Sequence, residues 1–492
     1  MISHLPILQV IVPLMAAPLC LLLKRAQLVW LFALFASSLA CFISILLLQQ
    51  VMTSGVISYE LGGWEAPWGI EYRIDKLNAF LLLIISAIST VVLIAAQTSI
   101  EKEIPKDKHT LFYILYLLSL TGMLGIVSTG DAFNVFVFLE ISSLSAYALI
   151  ALGNDRRALW ASYQYLIMGT IGATFILIGI GLMYQMTGTL NMEDLSQRLP
   201  QVAQTRTVFT AFAFVIVGVC LKLALFPLHL WLPNAYAFAP SIVTAFFAAT
   251  ATKVAIYLLI RFTFTVFGLS FSFTTLPLQG LFLTLGLAGI FVASSAAIYQ
   301  KNVKHVFAYS SIAQVGYIII GLSTSTITGL TATLLHLFNH ALMKSAIFLA
   351  LGAVVYRLGS IQLSSFYGLG RQMPLTMAAI TIGGLSLIGV PLTVGFVSKW
   401  YLLIALIEHG WWPVAVLVLL GSLLAIVYVW RIVEAAYFKE PLAGTMPVKE
   451  APVLFLIPIW TLIIANIYFG IDTRLSVQVA QSAAQSLFGV SP

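Results

Sequence analysis

The chain has 492 residues, of which 61% are hydrophobic and only 8% charged, with a formal net charge of +7. A globular domain needs roughly a quarter of its residues charged to face water, so a soluble enzyme or a soluble nucleic-acid-binding protein is excluded. The basic residues fall mostly between apolar runs, which makes their excess a matter of membrane topology rather than of nucleic acid.

The apolar runs repeatedly reach 18 residues or more, enough to cross a hydrocarbon core of about 30 Å. In lipid, backbone polar groups must be paired within a helix or around a closed barrel. Barrel strands alternate apolar and polar residues and these runs do not, so the predicted fold class is all-α, a polytopic membrane protein. Taken in chain order, about fourteen spans are predicted, at residues 5–23, 28–50, 77–98, 110–128, 131–152, 158–187, 208–228, 241–264, 277–299, 303–321, 325–356, 374–407, 411–437 and 452–470. Residues 5–23 are read as the first span rather than a leader, because Lys24 and Arg25 follow the run and no small-residue cleavage site is clear. The longest polar gaps, 51–76, 188–207 and 438–451, hold no Pro/Ser linker, so residues 1–492 are predicted to form a single membrane domain. Cys20, Cys41 and Cys220 all lie in apolar runs, read as packed, reduced thiols without metal spacing.

Charge placement orients the spans. With the N-terminus outside, 14 basic residues fall on the cytoplasmic side, including Lys24, Arg25, Lys102, Arg157, Lys304 and Arg357, and 6 on the outer side, among them Arg73 and Arg261. That bias predicts both termini on the outer side of a prokaryotic inner membrane.

Four lysines remain inside spans: Lys222, Lys253, Lys344 and Lys399. Glu140 is the one carboxylate deep in a span, and His336 and His340 share a span with Lys344. A charge at mid-bilayer costs from about 2.5 to 17 kcal/mol depending on the method, and is kept only facing the bundle interior or water. Lysine suits such a place because a buried ammonium can give up its proton, which arginine resists. Glu140 sits in FNVFVFLEISSLSAYAL, where it either only ties helices together or sets the proton affinity of a neighbouring Lys. Lys222 opens KLALFPLHLWLPNAYAFAP, and Pro227 removes a backbone donor just after it, so the helix is predicted to break there. Lys399 sits in LSLIGVPLTVGFVSKWYL, interrupted by Gly389, Pro391 and Gly395. Broken helices in the seventh and twelfth spans, five apart and oppositely directed, are the mark of an inverted repeat; the predicted repeats are residues 110–264 and 277–437. HLFNHALMK places His336, His340 and Lys344 at i, i+4 and i+8, on one helical face. A metal pair and plain packing histidines compete there with a proton relay, for which histidine's titration near neutrality suits it. Lys253 is expected between the Lys222 and His336 regions. His229 and His305, near span ends, are read as solvated or structural.

These four stretches, with HLFNHALMK extended to HLFNHALMKSAIF, resemble the proton-conducting membrane subunit family shared by Mrp-type cation/proton antiporters, respiratory complex I and membrane-bound hydrogenases, over about residues 60–440. The resemblance implies a fourteen-helix bundle with two inverted five-helix repeats and broken seventh and twelfth helices. It implies functional roles for Glu140, Lys222, Lys253, His336 or His340, and Lys399, with Glu140 tuning Lys222 electrostatically. Lysine rather than glutamate at 399 resembles the D-type branch of the Mrp antiporters, part of a sodium/proton exchanger rather than an enzyme. A non-catalytic pumping subunit of a complex I-like or hydrogenase-type redox complex is the alternative. The implied partners are other membrane subunits, protons, a monovalent cation and the lipid bilayer, with no nucleic acid. No cofactor or metal is implied: Gly-rich nucleotide loops, haem motifs and Cys clusters are missing from the sequence.

Overall fold

The structure, a computed structural model, describes residues 4–441 and 447–490. Among them nineteen α-helices follow in chain order: α1 (Leu5–Leu19), α2 (Ala26–Ser54), α3 (Lys76–Glu103), α4 (His109–Ser128), α5 (Ala132–Ala151), α6 (Arg156–Thr187), α7 (Met192–Val202), α8 (Arg206–Leu223), α9 (Trp231–Phe238), α10 (Ser241–Ile260), α11 (Leu278–Tyr299), α12 (Val303–Ser323), α13 (Ile327–Leu358), α14 (Leu369–Gln372), α15 (Pro374–Ile388), α16 (Val394–Glu408), α17 (Trp412–Tyr437), α18 (Val453–Ile471) and α19 (Arg474–Leu487). Thirteen helices are long and apolar enough to cross a membrane. The remaining predicted span, 374–407, is split into α15 and α16, each of 15 residues. At about 1.5 Å rise per residue either half alone falls short of a bilayer core; together they cross it.

Both predicted breaks are present, with the seventh helix ending earlier than the span 208–228. It stops at Leu223, and Ala224 takes a left-handed φ of 59°. The Leu225 amide then closes onto the Cys220 carbonyl at 3.1 Å. Pro227 follows without a donor and α9 restarts the helix at Trp231. In the twelfth span Gly389 ends α15 at φ 95°, and Leu392 is also left-handed at 71°.

The polar gaps hold structure that apolar-run reading passes over. Residues 51–76 contain an antiparallel hairpin, β1 (Ile57–Glu60) with β2 (Glu71–Ile74), in register Ile57 to Ile74. In 188–207 lies α7, capped by Asn191, whose side chain accepts from the Glu193 and Asp194 amides. After the last span, α19 lays Val479, Ala480, Ala483 and Ala484 against α3 and α13. The gap 438–451 lies partly outside the described residues.

Helices α10 and α13 form the centre. Every residue of α10 but Ala251 is buried, and α13 packs on α3, α10, α12, α15, α16, α18 and α19. Outer helices keep apolar faces exposed, such as Leu31, Phe35 and Phe42 on α2 and Leu419, Leu423 and Trp430 on α17, as contact with lipid or a membrane partner requires. Close helix approach depends on paired glycines. A Cβ at Gly218 would stand 2.6 Å from the Gly172 carbonyl oxygen, and one at Gly316 2.6 Å from that of Gly286. Gly218→Val and Gly316→Val are each expected to destabilise the bundle by about 1–3 kcal/mol, read as a lower thermal unfolding midpoint.

Helices α3 and α10 run antiparallel, as their end contacts show. Arg261, just past α10, donates to Asp75, which caps α3, at 2.8 Å. At the opposite end Glu103 of α3 accepts from the Ser241 amide and hydroxyl, both at 2.9 Å. The bundle therefore has a hairpin end, with Arg73, Asp75, Glu193 and Arg261, and a loop end, with Glu103, Arg157, Lys304 and Arg357. At the loop end Glu103 also lies 4.0 Å from Lys304, tying α3, α10 and α12 together. Glu103→Ala strips a carboxylate from the first turn of α10 and leaves Lys304 without its counter-charge. It is expected to cost about 1–3 kcal/mol, measured by the same unfolding assay.

Candidate functional site

Lys222 occupies the last turn of α8, just ahead of the break. Its ammonium donates to Ser143 Oγ on α5 at 2.9 Å. Glu140 lies one turn from Ser143 on the same helix and acts on Lys222 through space, without an ion pair. Its Oε1 is enclosed and has no hydrogen-bond partner among the described residues. Residues Ser142, Ser143, Tyr165 and Lys222 share a cavity of about 40 Å³ with Ala251, Val254 and Ala255 of α10. That volume admits a water, and the Lys and Ser side chains give it polar partners.

Lys253, on α10, is fully buried and donates to the Ala248 carbonyl. It lies within Coulombic reach of His336, His340 and Lys344 on α13. His336 and His340 stack with ring centroids 6.1 Å apart. His336 is held at both nitrogens, by Ser398 Oγ and by Gln314 Oε1, each at 2.9 Å. Neither ring nitrogen of His340 has a hydrogen-bond partner among the described residues, although the ring is wholly buried. Such a group is costly unless it exchanges partners in use. Lys344 donates to the Phe307 carbonyl at 2.7 Å and to Ser310 Oγ.

Lys399 stands at the second break. Its ammonium donates to the Leu387 and Ile388 carbonyls and to Ser422 Oγ, all at 2.9 Å, and lies 4.7 Å from the Tyr317 ring centre. The two carbonyls belong to the last turn of α15, where the negative end of a helix dipole favours a cation. Ser398, the next residue back, holds His336, so Ser398, His336 and Gln314 form a polar line beginning one residue from Lys399. Beyond Lys399 a cavity of about 420 Å³ opens among Trp400, Leu403, Leu419 and Leu423.

All four lysines and both histidines are buried, and Lys253, His336, His340 and Lys344 come together where α10 packs on α13. Between Lys222 and Lys253 no hydrogen bond runs among the described residues; the 40 Å³ cavity adjoins that gap. His229, stacked on Phe226 at 5.3 Å, and His305, 3.2 Å from Asn234, do not bond to these residues.

Sequence reasoning missed the neutral partners: Ser143, Ser310, Gln314, Tyr317, Ser398 and Ser422. A signal existed for three of them, since Ser310, Gln314 and Tyr317 recur on one face of α12 at i, i+4 and i+7 within an apolar helix.

The chain is similar to known membrane proteins over nearly its whole length. Residues 129–425 match the family described as NADH:quinone oxidoreductase/Mrp antiporter, TM. The chain is 40% identical to NADH-quinone oxidoreductase subunit N of Desulforudis audaxviator, covering 96% of each chain. It is 29% identical to the D subunit of the Na(+)/H(+) antiporter of Bacillus subtilis, over 98% of this chain and 96% of that one. Its fold matches a chain of the Mrp complex from Dietzia sp. with a TM-score of 0.90 at 24% identity, over 99% of this chain and 97% of that one. A chain of the membrane-bound sulfane sulfur reductase, an archaeal respiratory membrane complex, matches with a TM-score of 0.88 at 32% identity and the same coverage. Burial, broken helices and sequence likeness agree: the chain belongs to the NADH:quinone oxidoreductase/Mrp antiporter transmembrane family.

Proposed function

We propose that this chain carries protons across the membrane as one subunit of a multisubunit complex, and that the coupled process is exchange for a monovalent cation, sodium by preference. The observation that carries the reading is that four lysines and two histidines are buried in the bundle, with Lys222 and Lys399 beside the two helix breaks. A proton reaching Lys222 passes to Lys253, then to His336 or His340, with Lys344 alongside, and on to Lys399. Each lysine alternates between ammonium and amine, with Glu140 coupled electrostatically to Lys222. The two breaks support a pair of inverted five-helix repeats over 110–264 and 277–437, with both termini outside the cytoplasm by the placement of basic residues.

A second reading has specific support. The relative at 40% identity is named as a subunit of an NADH-quinone oxidoreductase, and the sulfane sulfur reductase belongs to a respiratory complex. There the same relay would be driven by electron transfer in partner subunits. One experiment tests both: proton flux in vesicles holding the complete complex, with a sodium gradient imposed or with electron donor supplied. Flux that follows sodium alone supports exchange; flux that follows donor alone replaces exchange by redox drive; flux with neither refutes proton translocation. Within either reading Glu140→Gln keeps shape and loses charge, and is expected to slow flux about tenfold while the complex assembles normally.

A further inference from the structure

A second polar network, from Tyr257 to Asp75, lies between Lys253 and the hairpin end. Lys253, Tyr257 and Arg261 follow along α10 and its extension at i, i+4 and i+8, on one face. Helix α10 gives way to a π-helical turn over Arg261–Val266, a local widening common at functional sites. The Tyr257 hydroxyl accepts from Asn78 Nδ2 at 2.9 Å and donates to the Val127 carbonyl at 3.2 Å. Asn78 Oδ1 accepts from Arg261 at 2.9 Å, and Arg261 donates to Asp75 Oδ2 at 2.8 Å. Tyr257 and Asn78 are almost wholly enclosed, whereas the Asp75 side chain keeps 15% of its surface. A cavity of about 20 Å³, room for one water, brings Asp75, Asn78, Tyr257 and Arg261 together with Arg73 of β2 and Glu193 of α7. Arg73 and Glu193 pair at 3.4 Å and are each more than a third exposed, so the network reaches the surface.

Tying α3 to α10 would need only the Asp75–Arg261 pair. Continuing the network inward through an amide and a phenol costs desolvation of both; it ends at Tyr257, one helical turn along α10 from Lys253, whose ammonium is held by the Ala248 carbonyl. Resting on the proton-translocation reading above, we propose that Asp75, Asn78, Tyr257 and Arg261 form a proton outlet connecting Lys253 to the hairpin face. In the transfer an N–H bond of the Lys253 ammonium breaks and an O–H bond forms on the Asp75 carboxylate. The proton passes through water ordered by the Tyr257 hydroxyl, leaving a neutral amine and a neutral acid. Asp75 then releases the proton to water at the hairpin face and returns to the carboxylate that pairs with Arg261. Asn78 and Arg261 are positioning residues: they hold the phenol and the carboxylate and carry no proton themselves. The charged and titratable groups facing Asp75 are Arg261 and Tyr257 from the α10 side, Arg73 from β2 and Glu193 from α7.

The test uses the complete complex in proteoliposomes, with proton flux followed by a trapped pH-sensitive dye while pH is varied at the hairpin face. Asp75→Asn and Tyr257→Phe are each expected to slow flux by about tenfold, with assembly intact. Asp75→Asn should also flatten the dependence of flux on hairpin-face pH, and Asp75→Glu should restore both. Lys253→Ala serves as the control. If Lys253→Ala loses flux while Tyr257→Phe stays within about threefold of the parent, the outlet is wrong and the relay stands. If all of these variants stay within that range, the relay itself fails. Should Asp75→Asn not assemble, Tyr257→Phe alone decides, since removing one hydroxyl leaves the ring packing in place.

Discussion

Lys222→Ala and Lys399→Ala are each expected to lower proton flux through the assembled complex by about 100-fold or more. Each ammonium is buried at a place where the helix stops, and no other lysine, arginine, histidine or carboxylate among the described residues hydrogen-bonds the same partners. Removing the Lys399 side chain leaves the Leu387 and Ile388 carbonyls and Ser422 without their shared donor, at about 1–3 kcal/mol for a buried polar group left unpaired. Loss of flux from alanine could therefore reflect local collapse. The arginine variants separate charge from proton transfer. Lys222→Arg and Lys399→Arg keep a cation at the break but cannot release its proton. They are expected to retain assembly, checked by the size of the purified complex, and still to lose flux. Flux preserved in both arginine variants would mean that these sites supply fixed charge only, and the relay would have to run elsewhere.

The spans, the two breaks and the ionisable residues were legible in the sequence because each leaves a one-dimensional trace. An apolar run of sufficient length has few alternatives to a membrane helix, and Pro227 or Gly389 with Pro391 interrupts one visibly. What the chain order does not carry is rotation about each helix axis. The sequence pairs Glu140 with Lys222, yet the Lys222 ammonium meets Ser143, one turn further along α5, and Glu140 acts only through space. Gln314 and Ser398 are 84 residues apart by number and converge on one imidazole, a meeting set by how α12, α13 and α16 pack. The hairpin, α7 and α19 escaped for another reason. Their buried faces are short, Tyr72 and Ile74 in the hairpin, Met192, Leu195 and Leu199 on α7, and Val479 with three alanines on α19, so none forms a long hydrophobic run. Of the outlet residues the sequence marked only Arg261, assigned to the outer side; antiparallel packing of α3 and α10 is what brings it to Asp75.

Gly395→Ala is expected to damage the site without touching any ionisable group. A Cβ at Gly395 would stand 1.7 Å from the Ser386 carbonyl oxygen, a distance that no small adjustment relieves. The obstacle is backbone, on the half-helix α15, so α16 must move away as a unit. Lys399 rides on α16, whereas the Leu387 and Ile388 carbonyls that receive its ammonium belong to α15. Separating the halves therefore pulls the lysine off its acceptors and shifts Ser398, on the same turn, away from His336. The expected cost is about 1–3 kcal/mol of stability from overpacking, together with a loss of flux of about tenfold or more from misplacement of Lys399. Gly181→Ala is the matched control: it lies in α6, and a Cβ there meets nothing within 4 Å. That variant should be neutral or slightly stabilising, since alanine restricts the unfolded chain. If Gly395→Ala lost stability yet conducted protons like the parent, the contact between the half-helices would be packing alone. The position of Lys399 relative to the α15 carbonyls would then not govern transfer.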